Sequence, residues 1–226
     1  LFESGLRFVF DESTGKLQQE KMLAGMIVGK QGEKHWGISK KSYDFYDIKA
    51  DIETLFALTK DSHSFQFVAD EHPALHPKQA ACIVREGQLV GWVGALHPGV
   101  QQALDIDGPI LLFQLDVSKL QKAQLPRYKS ISKFPAINRD IALIVDERLP
   151  SQDLMTIIKS TGGDLIQNMH IFDVYTGEHI EKGKKSIAIN LTLQHSSHTF
   201  KDKEVTDLME NIVSALEQAY DAKLRD

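Results

Sequence analysis

Cysteine is almost missing from this chain: among 226 residues there is one, Cys82. No internal disulfide and no Cys-based zinc cluster can form, so the fold needs no covalent staple and a reducing, cytoplasmic setting is expected. No segment approaches the roughly 20 consecutive apolar residues that span a bilayer. The first residues lack an initiator Met and the charged-then-apolar layout of a signal peptide, which predicts a soluble segment that begins inside a longer polypeptide. No GxGxxG, GxxxxGK or GxSxG pattern occurs, which removes the usual phosphate-cradling loops and the nucleophile elbow. An excess of positive charge is also missing, with 26 Lys and Arg against 31 Asp and Glu, a net charge of -5 and a pI near 6.0. A nucleic-acid partner would therefore have to meet a local basic patch, not a bulk field.

What is present is the composition of an ordinary globular chain, 42% hydrophobic and 25% charged, long enough for one large or two modest domains. The clearest boundary follows Lys119, where Pro126 and Pro135 bracket a stretch between two apolar runs. This predicts domains over 1–120 and 138–226 joined by a linker at 121–137. Arg127, Lys129, Lys133 and Arg139 follow one another there with no acidic residue between them. Such a run is either solvated or a contact for phosphates.

In the first half, Leu6–Phe10 and Met22–Val28 read as strands about the turn-like Ser13 to Gly15, and Tyr43–Leu58 carries Phe45, Ile48, Ile52, Leu55 and Phe56 at helical spacing. Ala81–Val84 and Leu89–Ala95 flank Glu86-Gly87-Gln88 as a second hairpin, and Pro109–Val117 is another apolar strand. The expectation is an antiparallel α+β domain. In the second half, a strand at Arg139–Asp146 precedes a helix that starts at Pro150-Ser151 and stops at Gly162-Gly163. Strands at Leu165–Tyr175 and Lys185–Gln194 follow. A last helix from about Asp202 puts Val205, Leu208, Met209, Ile212, Val213, Leu216 and Tyr220 on one stripe, and Ala222–Arg225 supplies a fourth strand. That order is a ferredoxin-like βαββαβ domain.

Both helices must cover one face of that small sheet. Period-two alternation then assigns Ile187, Ile189, Leu191 and Leu193 to the core and Ser186, Ala188, Asn190 and Thr192 to the open face. On the preceding strand it turns Phe172 and Val174 inward and Ile171, Asp173 and Tyr175 outward. An open face with an aromatic ring, a carboxylate and hydroxyls can stack an unpaired base on Tyr175 and bond its edge through Asp173 and Ser186. It is equally the face that any one-sided sheet turns to water.

The candidates for chemistry elsewhere are thin. His72 and His76 stand four apart, as metal ligands on a helix would, but Pro73 and Pro77 argue against a helix and no HExxH pattern is present. His97, His195 and His198 have the same weakness. Cys82 lies in an apolar run and reads as a small buried hydrophobe.

Ordered motifs along the chain do suggest a family. LFESG at Leu1–Gly5, DFYDIKADIE at Asp44–Glu53, HPALHPKQ at His72–Gln79, GALHP at Gly94–Pro98 and FQLD at Phe113–Asp116 resemble the last class II synthetase-like domain of the bacterial phenylalanyl-tRNA synthetase beta subunit. YKSISKFPA at Tyr128–Ala136, RDIAL at Arg139–Leu143, IFDVYTG at Ile171–Gly177 and GKKSIA at Gly183–Ala188 are similar to that subunit's ferredoxin-fold anticodon-binding domain. The resemblance implies an (αβ)2 enzyme that charges tRNA(Phe) with phenylalanine using ATP and magnesium. In this family the catalytic pocket lies in the alpha subunit, and the synthetase-like fold of the beta subunit is a degenerate copy that scaffolds the tetramer. No cofactor or metal site is then expected in this segment, which alone would be inactive. The family's anticodon contacts fall by motif on Asp173, Tyr175 and Ser186, with Arg127, Lys129, Lys133 and Arg139 as backbone contacts. The rival readings are a metal-dependent metabolic enzyme built on the His72/His76 loop, and an interaction scaffold that never meets RNA.

Overall fold

Alternating apolar residues separated by short Gly-containing turns build two antiparallel sheets. In the computed structural model, residues 1–30, 36, 41–120, 125, 128 and 130–225 are described. The chain divides into two compact units, Leu1–Arg127 and Tyr128–Asp226. The architecture is α+β throughout, with every strand pair antiparallel.

The first unit begins with the hairpin β1 (Phe2–Asp11) and β2 (Lys16–Val28), turning at Gly15. Helix α1 (Phe45–Ala57) is fixed at its start by a capping box. The Asp44 carboxylate accepts from Tyr46 N at 2.9 Å, and Asp47 accepts from Asp44 N at 2.7 Å. Its Ile48, Ile52 and Phe56, spaced by four, are buried against the sheet. Strands β3 (Phe65–Ala69), β4 (Leu75–Arg85), β5 (Gln88–Leu96) and β6 (Ile110–Asp116) complete a six-stranded sheet in the order β1-β2-β6-β5-β4-β3, with short helices α2 (Pro98–Ala103) and α3 (Val117–Leu120) at strand ends. The core joins α1 to Ile83, Val93, Leu111 and Leu115.

The second unit runs β7 (Ile137–Asp146), α4 (Ser151–Gly162), β8 (Ile166–Tyr175), β9 (Lys184–Leu193), α5 (Asp202–Tyr220) and β10 (Lys223–Leu224). The sheet order is β10-β7-β9-β8, the interleaved pattern of a ferredoxin-like βαββαβ fold. Ile187, Ile189, Leu191 and Leu193 of β9 and Ile141, Leu143 and Val145 of β7 are buried beneath Leu154 and Ile158 of α4 and Val205, Leu208, Ile212 and Leu216 of α5. Residues 132–134 are tied to this unit: Ser132 Oγ donates to His195 O at 2.8 Å and Gln194 Nε2 to Phe134 O at 2.7 Å.

One face assignment needs correcting. Ile171 was expected to point outward, yet it pairs with buried Ile189 and packs on the core. Phe172 and Val174, expected inward, are 54% and 55% exposed. The cause is a β-bulge: Ile171 pairs with Ile189 and Asp173 with the very next residue, Ala188, so Phe172 is extra and alternation changes parity across it. Val174, beyond the bulge, pairs with Ile187 but lies on an edge strand.

Candidate nucleic-acid interface

The face of the second sheet opposite the helices is set by register. Asp173 pairs with Ala188, and Tyr175 with Ser186; Ser186 pairs on its other side with Ile144, and Asn190 with Asp140. Cross-strand partners share a face, so Asp173, Tyr175 and Ser186 stand together on the side away from the core. At the far end of this face the polar residues bond to each other. Asn190 Nδ2 donates to Asp140 Oδ1 at 2.6 Å and Thr192 Oγ1 to Asn138 Oδ1 at 2.9 Å. Asp173 is exposed and, among the described residues, carries no side-chain hydrogen bond, so both of its oxygens are available as acceptors.

The residue that organises the near end is Arg225. Its backbone N–H donates to Ala142 O at 2.8 Å, which continues the β10 to β7 ladder and turns the side chain to the open face. Nη1 then reaches Ser186 Oγ at 3.3 Å, and Cζ stands 5.3 Å from the centroid of the Tyr175 ring. Ser186 is therefore not open as the alternation suggested but only 3% exposed, its hydroxyl held by the guanidinium. Tyr175 is half-buried. Lys223 pairs with Ile144 on the same edge, so two cations of the C-terminal strand supply the local positive charge that an acidic chain needs if it is to meet phosphates. On β8, at the opposite edge of the sheet, the bulged Phe172 lies 6.4 Å, ring to ring, from His170.

Four cations are expected to hold the RNA backbone. Arg127 and Lys129 lie outside the described residues. Lys133 is exposed. Arg139 is exposed at the start of β7, where its pairing with Leu191 puts it on the helix-facing side of the strand, and its Nη1 donates to Asn138 O at 3.1 Å. Sequence reasoning did not find Arg225 in a site role, because the tail was visible only as a strand and its neighbour on β7, Ala142, is 83 positions away in the chain.

The His-Pro sites of the first unit do something simpler than metal ligation. His72 Nδ1 accepts from Ala74 N at 3.2 Å, His76 Nδ1 from Lys78 N at 3.1 Å and His97 Nδ1 from Gly99 N at 3.1 Å. In each case the proline lacks an N–H and the histidine takes the next one along the chain, a side-chain-closed turn. His97 caps α2 this way. Among the described residues no three His, Cys, Asp or Glu side chains gather as a metal site requires.

The interleaved sheet and its polar, aromatic open face define a ferredoxin-fold module attached to a larger antiparallel α+β unit. Residues 132–225 match the model of the ferredoxin-fold anticodon binding domain, and residues 1–117 match that of the phenylalanyl tRNA synthetase beta chain CLM domain. The second match covers over half of the chain, which therefore belongs to the phenylalanyl tRNA synthetase beta chain family. The chain is similar along its whole length to the phenylalanine–tRNA ligase beta subunits of Aliivibrio fischeri (41% identical), Colwellia psychrerythraea (42%) and Pseudomonas putida (42%). It spans only 28–29% of the length of those relatives.

Proposed function

We propose that this chain serves as the C-terminal part of a phenylalanine–tRNA ligase beta subunit: residues 1–120 a class II synthetase-like scaffold without catalysis, 121–137 a linker, and 138–226 the domain that binds the anticodon stem-loop of tRNA(Phe). Its partners are the alpha subunit, which carries out ATP- and magnesium-dependent aminoacylation, and the tRNA. The reading assigns no metal or cofactor site to this segment, which by itself neither activates phenylalanine nor charges tRNA. Its place of work is the cytoplasm.

The observation that carries the reading is the cluster of Tyr175, Arg225, Ser186 and Asp173 on the open face. An unpaired anticodon base stacks against the Tyr175–Arg225 pair, which offers both surfaces that proteins use for splayed-out bases, an aromatic ring and a guanidinium plane. Asp173 accepts from an amino or imino N–H on the base edge, and Ser186 orients the guanidinium that covers it. Lys223, Lys133, Arg139, Arg127 and Lys129 contribute phosphate contacts that position the stem without reading it. The test is a binding titration of tRNA(Phe) and a non-cognate tRNA at two salt concentrations, on the wild type and on Asp173→Ala. Cognate tRNA should bind more tightly, and Asp173→Ala should erode that preference. Equal affinity for both tRNAs in the wild type would refute the reading.

A further inference from the structure

Two glycines punctuate the loop between β8 and β9, and they are there for different reasons. Gly183 has a φ of 83° and nothing around the position its Cβ would take, so it is a backbone requirement. Gly177 has no positive φ. A Cβ there would instead fall inside van der Waals contact of Tyr175 Oη and Cζ and lie 3.0 Å from Cε1. The three atoms nearest that position all belong to the Tyr175 side chain, and the ring is at the same time under the Arg225 guanidinium.

We infer that Gly177 is a positioning residue for base recognition: its bare Cα lets the Tyr175 ring lie down over the loop, where Arg225 can cover it and a base can stack on the pair. This rests on the anticodon-binding reading above. The atoms that a Cβ would displace are the free end of a side chain and not backbone, so the expected cost of filling Gly177 falls on the pose of the ring and not on the fold. A methyl at Gly177 lifts the ring away, breaks its registry with Arg225 and leaves the base without its platform.

The experiment compares Gly177→Ala, Tyr175→Ala and the double variant in the full chain, with a tRNA(Phe) anticodon stem-loop as probe and NMR of labelled tyrosine as the readout of ring position. Gly177→Ala should shift the Tyr175 ring signals, leave the melting temperature within a few degrees of wild type, and weaken the stem-loop roughly tenfold, the loss of one stacked base. In the double variant the loss should be no larger than in Tyr175→Ala alone, because both substitutions remove the same interaction. Additive losses, or wild-type binding by Gly177→Ala while Tyr175→Ala is weakened, would overturn the inference. If Tyr175→Ala binds the stem-loop as well as wild type, it is the anticodon reading that fails. The ring signals alone then decide whether Gly177 positions the ring, and unmoved signals in Gly177→Ala would dismiss that role.

Discussion

Replacing Arg225 with alanine separates what that residue does for the protein from what it does for a ligand. Its backbone hydrogen bond to Ala142 O survives the substitution, so β10 stays on the sheet. The losses are a cation–π contact at a partly exposed ring, about 0.5–1 kcal/mol, and a long 3.3 Å hydrogen bond to Ser186, worth about 0.5 kcal/mol. Water can reach the freed serine, so no buried group is orphaned. The sum is about 1–1.5 kcal/mol. For a domain of about 100 residues each kcal/mol moves the melting temperature by about 4–8 °C, a shift that calorimetry resolves. Binding should suffer more: loss of the guanidinium plane removes a stacking surface worth about 1–3 kcal/mol, or about 5- to 150-fold in affinity. Where the charge also meets a phosphate, the salt slope on single-stranded RNA should flatten by about 0.7. Arg225→Lys divides the two contributions. It restores the charge and therefore the slope, but the ammonium is a point charge with no plane to stack on, so most of the affinity should stay lost. Full affinity in Arg225→Ala, with Tyr175 ring signals unmoved, would refute both the contact and the role.

Three other outcomes follow from the structure. Ile189→Ala empties a fully buried position of β9 between both helices and should destabilise the second unit by about 2–5 kcal/mol by denaturant titration, through lost burial and a cavity; a loss under about 1 kcal/mol would mean the core is not where β9 puts it. Glu204 accepts the Lys201 N–H at 2.8 Å at the start of α5, and this bond, with the His198 ring beside it, holds its carboxyl below the ordinary glutamate value of 4.5. A depressed carboxyl contributes stability that is present above the unfolded value and lost as pH falls through the folded one. The wild-type melting temperature should therefore drop more between pH 6 and pH 3 than that of Glu204→Gln, and equal drops would remove Glu204 from the account. Neutralising Lys133 or Arg139 should weaken all tRNAs alike and flatten the salt slope, whereas an unchanged slope returns that residue to solvent.

The elements that were legible in the sequence are those whose instructions are local. Helix α5 carries its apolar stripe without interruption, and α1 announces its start with Asp44 and Asp47. Strand β9 alternates Ile and Leu with small or polar residues along its length, so its two faces can be read directly. Strand β3 was missed because five residues following a 3-10 turn are too few to establish a period. Within the site, Ser186 was legible from the alternation of β9, but its burial was not, since the covering group arrives from the last strand. Arg225 and Gly177 were invisible for the same reason. One depends on β10 docking beside β7 and the other on a ring folding back over a loop, and neither arrangement leaves a periodic trace.

Asp173 and Tyr175 are the instructive pair, because the face assigned to them is right although the parity used to reach it fails one residue earlier. Met169 and Ile171 pair with Leu191 and Ile189 on the helix side, and uninterrupted alternation would carry residues 173 and 175 to that same side. The extra residue, Phe172, reverses the parity and turns the carboxylate and the tyrosine to the open face. The bulge thus decides which face the two residues take, and re-aiming side chains is a use bulges commonly have. Deleting Phe172 removes the bulge and joins Ile171 directly to Asp173, whose partner Ala188 already stands next to Ile189, so plain alternation then keeps Asp173 and Tyr175 on the open face. The deletion variant should therefore keep stem-loop binding within a few-fold of wild type. Phe172→Ala keeps the residue count, and with it the bulge, and should bind within a few-fold of wild type, since the ring it removes is more than half exposed. Loss of binding in the deletion variant with Phe172→Ala unaffected would mean that recognition needs the local twist of the bulge and not the face alone, and loss of binding in both would mean that the Phe172 ring is what the RNA meets.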